Sequence, residues 1–288
     1  MANSMATLLA MLNQETNGGY TVTNYLPTLR HPVGSIRRCE IAVWYYQVVD
    51  ACRFQRETAS VAMSHLDRYM MTPASAVARR HVPTYLLFAL TCFYTAVKTH
   101  DYLAMDPSFA ANTLSGGIYS PQQVVETEES LLWALRWRLN PPTPLSFCRQ
   151  LLALIPTNVL DSAARSIVYD AARFQIEMAL CESMLVEDGC TASTVAICAV
   201  TNALECLAED LLSDTTLHRT SHYLARVMNI QHNNNQMLTT IRDLLYARLM
   251  GLEMSADRFV SRRHTWHRST VLLASPNKGN LIHPHNEK

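Results

Sequence analysis

Glycine is scarce, with 8 in 288 residues. β-branched runs are few, and no Asn-Gly or Asp-Gly turn stands between two alternating segments, so hairpins and sheets leave no signature. No apolar run reaches the roughly 18–20 residues needed to cross a bilayer. The longest, YLLFALTCFYTAV, covers 85–97. Charge of one sign is missing too: 24 Lys and Arg face 24 Asp and Glu. That balance argues against a chain that mainly grips nucleic acid or an anionic membrane, although it leaves room for a local basic patch. The eight cysteines, Cys39, Cys52, Cys92, Cys148, Cys181, Cys190, Cys198 and Cys206, stand singly. No CxxC pair has a second ligand pair downstream, so no zinc site is expected. Most sit in apolar helical runs, where a reduced cysteine acts as a small hydrophobe, and they point to a reducing, intracellular compartment. The start, MANSMATLLAML, lacks the basic segment and the long apolar run of a signal peptide. A P-loop, a nucleophile elbow, a metal-ligand cluster and a dinucleotide fingerprint are all absent, and His, Asp and Ser residues are dispersed. No catalytic residues, metal or cofactor are therefore expected.

What is present is helical periodicity. Hydrophobic residues make up 49% of the chain, enough for one large or two ordinary domains. The fold expected is all-α. A short amphipathic leader covers 4–16 and is broken by Gly18 and Gly19; helices follow over 36–53, 58–70, 84–98 and 120–137. The last of these opens with Ser120 as N-cap, Pro121 at the first helical position and Gln123 closing a capping box. NPPTP, at 140–144, is a hard stop, and five more helices are expected over 145–155, 160–185, 191–209, 216–229 and 235–250. Two segments, 84–98 and 193–207, are apolar nearly all round and must be enclosed by other helices. They lie 109 residues apart, each amid about five helices. This spacing suggests a duplicated helical domain divided at Asn140–Pro144. From Leu252 the chain holds six Lys and Arg against three Asp and Glu with little helical period, so 252–288 is expected to be a flexible tail.

Two sets of charges need an explanation. In RFQRETASVAMSHLDRYM, residues 53–70, Ala59, Ala62, Met63, Leu66 and Met70 form one apolar face, yet Asp67 and Arg68 stand beside it. A solvated helix end or a fixed ion pair would each account for them. Lys98 closes the enclosed helix of the first half, while Glu128 lies in the apolar row of Leu131, Leu132 and Leu135. A carboxylate there is costly unless paired or at an edge. Read alone, Lys98 and Glu128 are either partners or two separate helix-end charges. The position matching Lys98 in the second half is Leu207, so a pair would be peculiar to the first half and would hint at a binding surface.

The order and spacing of RRCEIAVWYYQVVDACRFQRETASVAMSHLDRYM, LLFALTCFYTAVKTHD and YSPQQVVETEESLLWALRWRLNPPTPLSFC resemble the cyclin box, from about Arg37 to Cys148. A fainter likeness to a second cyclin-like fold runs to about Leu249. The leader helix and LARVMNIQHNNNQMLTTIRDLLYARL look most like the D-type and related G1 cyclins. The resemblance implies two tandem five-helix folds: a leader and linker at 1–35, an N-terminal cyclin box at 36–142, a C-terminal cyclin-like fold at 143–251, then the tail. It implies that Asp67 pairs with Arg38 as a structural lock between two helices. It implies that Lys98 and Glu128 face a cyclin-dependent Ser/Thr kinase, with Leu132, Trp137 and Leu139 supplying apolar contact. Binding would move a kinase helix inward and let the kinase's own Lys–Glu pair form. The expected role is a regulatory subunit, without chemistry of its own, that activates such a kinase in cell-cycle progression at G1 or G1/S, in the nucleus or the cytoplasm.

The sequence also departs from that family. The segment that begins an apolar docking patch for Arg-x-Leu substrate motifs reads RRCEI here. Arg38, Ile41 and Trp44 suit it, but Arg37 replaces a methionine, Glu40 an apolar residue, and Gln47 stands where an acidic residue would meet the motif's arginine. A glutamate in an apolar cleft should bind leucine poorly, so Arg-x-Leu docking is not expected. The acidic pair that often follows the lysine is altered to Thr99-His100-Asp101. Ser275, in SPNK at 275–278, is a candidate site for proline-directed phosphorylation. The competing reading is a cyclin-box adaptor in transcription, working through a transcriptional kinase or nucleic acid. The lack of ribbon cysteines and the neutral charge count against it.

Overall fold

The computed structural model describes residues 2–31, 33–35, 38–211, 214–228 and 235–253. Arg37, Ser275 and the tail beyond Glu253 lie outside the described residues. Every regular element among the described residues is helical, and there is no strand among them. Two compact units form. One is Tyr25–Asn140; the other comprises, among the described residues, those up to Asn24 and from Pro141 on.

The first helix in the chain, α1 (Ala2–Asn17), belongs to the second of these units. Inside Tyr25–Asn140 lie α2 (Arg38–Cys52), α3 (Glu57–Met70), α4 (Val82–His100), a short turn α5 (Pro107–Phe109) running into a π-turn at Ala110–Leu114, and α6 (Pro121–Ala134). Helix α4 is buried from Tyr85 to Val97 on almost every face, as its composition demands. Tyr45 and Trp44 of α2 hold it by aromatic contacts to Phe93, at 5.3 and 5.8 Å between ring centroids, and the Tyr45 hydroxyl donates to the Ala89 carbonyl at 2.8 Å. Helix α3 is buried nearly all round as well, polar residues included. Periodicity shows only one apolar face because the other side is satisfied by hydrogen bonds, which leave no trace in hydropathy.

Helix α6 starts as expected: Ser120 Oγ accepts from the Gln123 amide at 3.1 Å and Gln123 Oε1 accepts from the Ser120 amide at 2.8 Å. It stops at Ala134, three residues before the expected end. Arg136 and Trp137 take left-handed φ angles of 52° and 59°, which turn the chain out of the helix. Such non-glycine conformations cost on the order of 1 kcal/mol each or more and need outside support. It comes from α3. Arg68 Nη1 donates to the Arg138 carbonyl at 2.8 Å, and His65 Nε2–H donates to the Leu139 carbonyl at 2.9 Å.

The other unit holds α1, α7 (Pro144–Leu154), α8 (Ser162–Ala179), α9 (Ser183–Glu187), α10 (Ala192–Leu211), α11 (Asp214–Val227) and α12 (Asn235–Glu253). The single helix expected over 160–185 is two pieces, because α8 closes at Ala179 and α9 begins at Ser183. Its start is fixed by Asp161, which accepts from the Ala164 amide at 2.8 Å. Leu8 of α1 is fully buried in the same core as Phe147, Leu151, Val168 and Val200.

Candidate functional site

The charged residues beside the apolar face of α3 are not a solvated end. Arg38 of α2 clasps Asp67: its Nη2 donates to Oδ2 at 2.8 Å and its Nε to Oδ1 at 3.1 Å. The Tyr25 hydroxyl adds a third donor to Oδ1 at 2.7 Å. Both charged side chains are buried. A buried pair of this kind specifies register more than it adds net stability. Burial, with the Asp67 charge next, drives the Tyr25 phenol far up, so it stays a donor.

Thirty residues apart in sequence, α4 and α6 bring Lys98 and Glu128 together. Lys98 Nζ donates to both carboxylate oxygens, at 2.9 and 2.8 Å, and Thr95 Oγ1 donates to Oε1 at 3.3 Å. The Glu128 side chain is only 10% exposed, but that of Lys98 is 43% exposed. The pair is thus an edge feature, with its ammonium 5.0 Å from the centre of the Tyr94 ring. Burial works against the charged ammonium, but the hydrogen bonds and charge of Glu128, with Tyr94, outweigh it and raise the Lys98 pKa. Two of the three ammonium donors are spent on Glu128 and Tyr94 takes a further hydrogen bond, so an outside acceptor would compete with Tyr94, while Glu128 Oε2 can accept again.

Around this pair the other residues divide. Leu132 and Leu139 are half-buried, while Trp137 is 59% exposed and packs edge-on against Trp133, itself 67% exposed. Trp133 was not among the residues anticipated from sequence. Its signal was present, a tryptophan at an outward position of an amphipathic helix. Tyr25 and His65 carried no comparable signal, since their partners lie 42 and 74 residues away. In the segment corresponding to the docking patch, Arg38 is committed to Asp67, Ile41 and Trp44 are buried in the core, and Gln47 is exposed. Asp101 turns to the start of α3, accepting from the Gln55 amide at 2.7 Å and the Thr58 hydroxyl at 3.1 Å.

Among the described residues no group of three His, Cys, Asp or Glu could hold a metal ion, and no helix is long and apolar enough to cross a membrane. Burial pushes the thiols of Cys148 and Cys198 up to about 12, which keeps them protonated and inert.

Residues 8–140 match the family described as Cyclin, N-terminal domain. The G1/S-specific cyclin-D1 of Mus musculus is 25% identical over 225 residues, covering 77% of this chain and 71% of that protein. A Cyclin-D of Ostreococcus tauri is 28% identical over 125 residues, or 43% of this chain and 32% of that one. In three dimensions the chain is similar to a viral cyclin from herpesvirus saimiri, with a TM-score of 0.53 at 15% identity, over 78% of this chain and 96% of that one. A chain of the CAK complex from Chaetomium thermophilum bound to ATP-γ-S gives a TM-score of 0.50 at 17% identity, over 92% of this chain and 79% of that one. The fold is that of cyclins. Residues 8–140 thus carry a match to the cyclin N-terminal domain, and the chain resembles the D-type cyclins.

Proposed function

We propose that this chain is the regulatory subunit of a cyclin-dependent Ser/Thr kinase, which it binds and activates through the Lys98–Glu128 edge. Leu132, Trp137 and Leu139 supply apolar contact, and the complex acts in cell-cycle progression at G1 or G1/S, in the nucleus or the cytoplasm. The observation that supports this most is the half-exposed ammonium of Lys98 held on a nearly buried carboxylate. The edge spares the ammonium part of its desolvation cost, and it also leaves the pair within reach of the backbone of a partner helix. Apolar neighbours would carry most of the binding energy, and the ion pair would set orientation. Seating the kinase helix inward lets the kinase's catalytic Lys–Glu pair close, which phosphoryl transfer requires. The cyclin chain then supplies shape and no reacting group. The commitment of Ile41 and Trp44 to the core supports recruitment of substrates by some route other than Arg-x-Leu docking on that segment.

The test is capture from a lysate of the source cells with the tagged chain, identification of the co-purifying kinase by mass spectrometry, and a histone-type kinase assay on the eluate. Wild type should bring down a cyclin-dependent kinase and its activity, and a folded Lys98→Ala/Glu128→Ala variant should bring down neither. Wild type without any such kinase would overturn the reading.

A further inference from the structure

The outer face of α11 gathers cations that the fold does not use. Leu217, Leu224 and Val227 turn toward the core and leave the opposite side of the helix to solvent. On that side His218, Arg219, His222, Tyr223 and Arg226 are all exposed. Spaced three and four residues apart, they are neighbours on one helix face. Together they line a surface pocket of about 390 Å³. Among the described residues none of the five has a hydrogen bond, an ion pair or a ring contact. By contrast, Arg173 of α8 lies against Asp170 and Glu177, and Arg242 of α12 against Glu205.

The chain does not cancel this charge nearby. Glu209 and Asp210 stand at the end of α10 and Asp214 opens α11, but from 215 to 242 the sequence holds no Asp or Glu. Glu205, on the helix that packs against α11, is held by Arg242. The whole chain has no net charge, so this face is a local departure and not part of a general positive field.

We infer that the face of α11 formed by Arg219, His222, Tyr223 and Arg226 docks an acidic peptide segment of a partner protein. Arg219 and Arg226 lie seven residues apart, about 10 Å along the helix axis. Extended chain covers that distance in about three residues, so two carboxylates at that separation can each meet a guanidinium, whose planar fork suits a carboxylate. Tyr223, between them and 41% exposed, offers a ring for an apolar side chain of the same segment. His218 and His222 add ring N–H donors. Nucleic acid fits less well, because two arginines on two turns neutralise only a few phosphates. A lipid surface fits less well too, because the apolar side of α11 is already committed to the core. The face belongs to the unit that does not contain Lys98 and Glu128, and it does not rest on the function proposed above.

The test is selection of phage-displayed random peptides on the full chain, counter-selected on Arg219→Glu/Arg226→Glu. A selected peptide is then labelled and titrated by fluorescence anisotropy at low and at high salt. The changes are on an exposed face, and circular dichroism checks that each variant folds. Selection should enrich Asp and Glu two to four residues apart. The double variant should bind the selected peptide at least about tenfold more weakly, and high salt should weaken wild-type binding. Tyr223→Ala should weaken it several-fold. Selected peptides without acidic enrichment, or equal binding by wild type and the folded double variant, would overturn the inference. So would a single-stranded oligonucleotide that binds through Arg219 and Arg226 where no acidic peptide does.

Discussion

Glu15 of α1 caps the start of α10 through Ser193: one carboxylate oxygen accepts the Ser193 amide at 2.9 Å and the other its hydroxyl at 2.5 Å. The two residues are 178 apart in sequence and both are buried. This joins the amino-terminal helix to the unit built by α7–α12, beside the packing of Leu8. Replacing Glu15 by Ala leaves helix-end amides and a hydroxyl without an acceptor, and should cost about 1–3 kcal/mol in denaturant unfolding of that unit. Burial raises the Glu15 pKa above its ordinary 4.5, against the lowering effect of the Ser193 bonds. A raised carboxyl pKa means the folded state holds its proton longer. Stability relative to Glu15→Gln should therefore be greatest below pH 4.5 and fall as pH rises through the shifted value.

Asp67 is a buried carboxylate paired by Arg38 and Tyr25. Asp67→Ala strands the guanidinium and should destabilise the Tyr25–Asn140 unit by about 3–5 kcal/mol. Tyr25→Phe removes one donor and should cost about 1 kcal/mol. Chemical denaturation of both variants reads the difference directly.

His65 sets a pH window of its own. Burial lowers its pKa from 6.5 to about 4, against the raising effect of the Leu139 carbonyl. Unfolding lets it take a proton at the ordinary value, so the neutral folded form is favoured above pH 6.5 and that advantage is lost as pH falls toward 4. The loss should be roughly 3 kcal/mol over the window. In His65→Gln the slope attributable to this group should vanish, which unfolding curves at pH 4, 5, 6 and 7 would show.

The left-handed turn after α6 makes a prediction of the reverse sign. Arg136 is exposed and adopts φ 52°. Arg136→Gly relieves that conformation and should raise stability by about 1 kcal/mol, while leaving Trp137 in place. A melting temperature a few degrees higher in the variant checks it.

The parts of the fold that were legible in the sequence were those written locally. Ser120, Pro121 and Gln123 announce α6 because capping chemistry acts over three residues. The runs 84–98 and 193–207 announce the enclosed α4 and α10 because burial on all sides shows in composition. The end of α6 was not legible. It depends on Arg68 and His65, some 70 residues earlier, holding a backbone that Arg136 and Trp137 would not adopt by preference. The packing of α1 with α7 and α10 is likewise a long-range fact, carried by Leu8 and Glu15. At the candidate site the charges Lys98 and Glu128 stood out against an apolar background. Trp133 carried its signal in its outward position on an amphipathic helix and not in its hydropathy, which is the same for an exposed tryptophan as for a buried one.

The most direct measurement is activation of the purified kinase by Lys98→Glu/Glu128→Lys, the pair with its polarity reversed. This variant keeps an ion pair between α4 and α6 but exchanges the positions of donor and acceptor. Our account predicts that wild type activates the kinase saturably and that the reversed pair, folded as judged by circular dichroism, does so with at least about tenfold lower affinity or not at all. Activation by the reversed pair at wild-type concentrations would contradict it, and would make Lys98 and Glu128 a brace between two helices rather than the edge that meets the kinase.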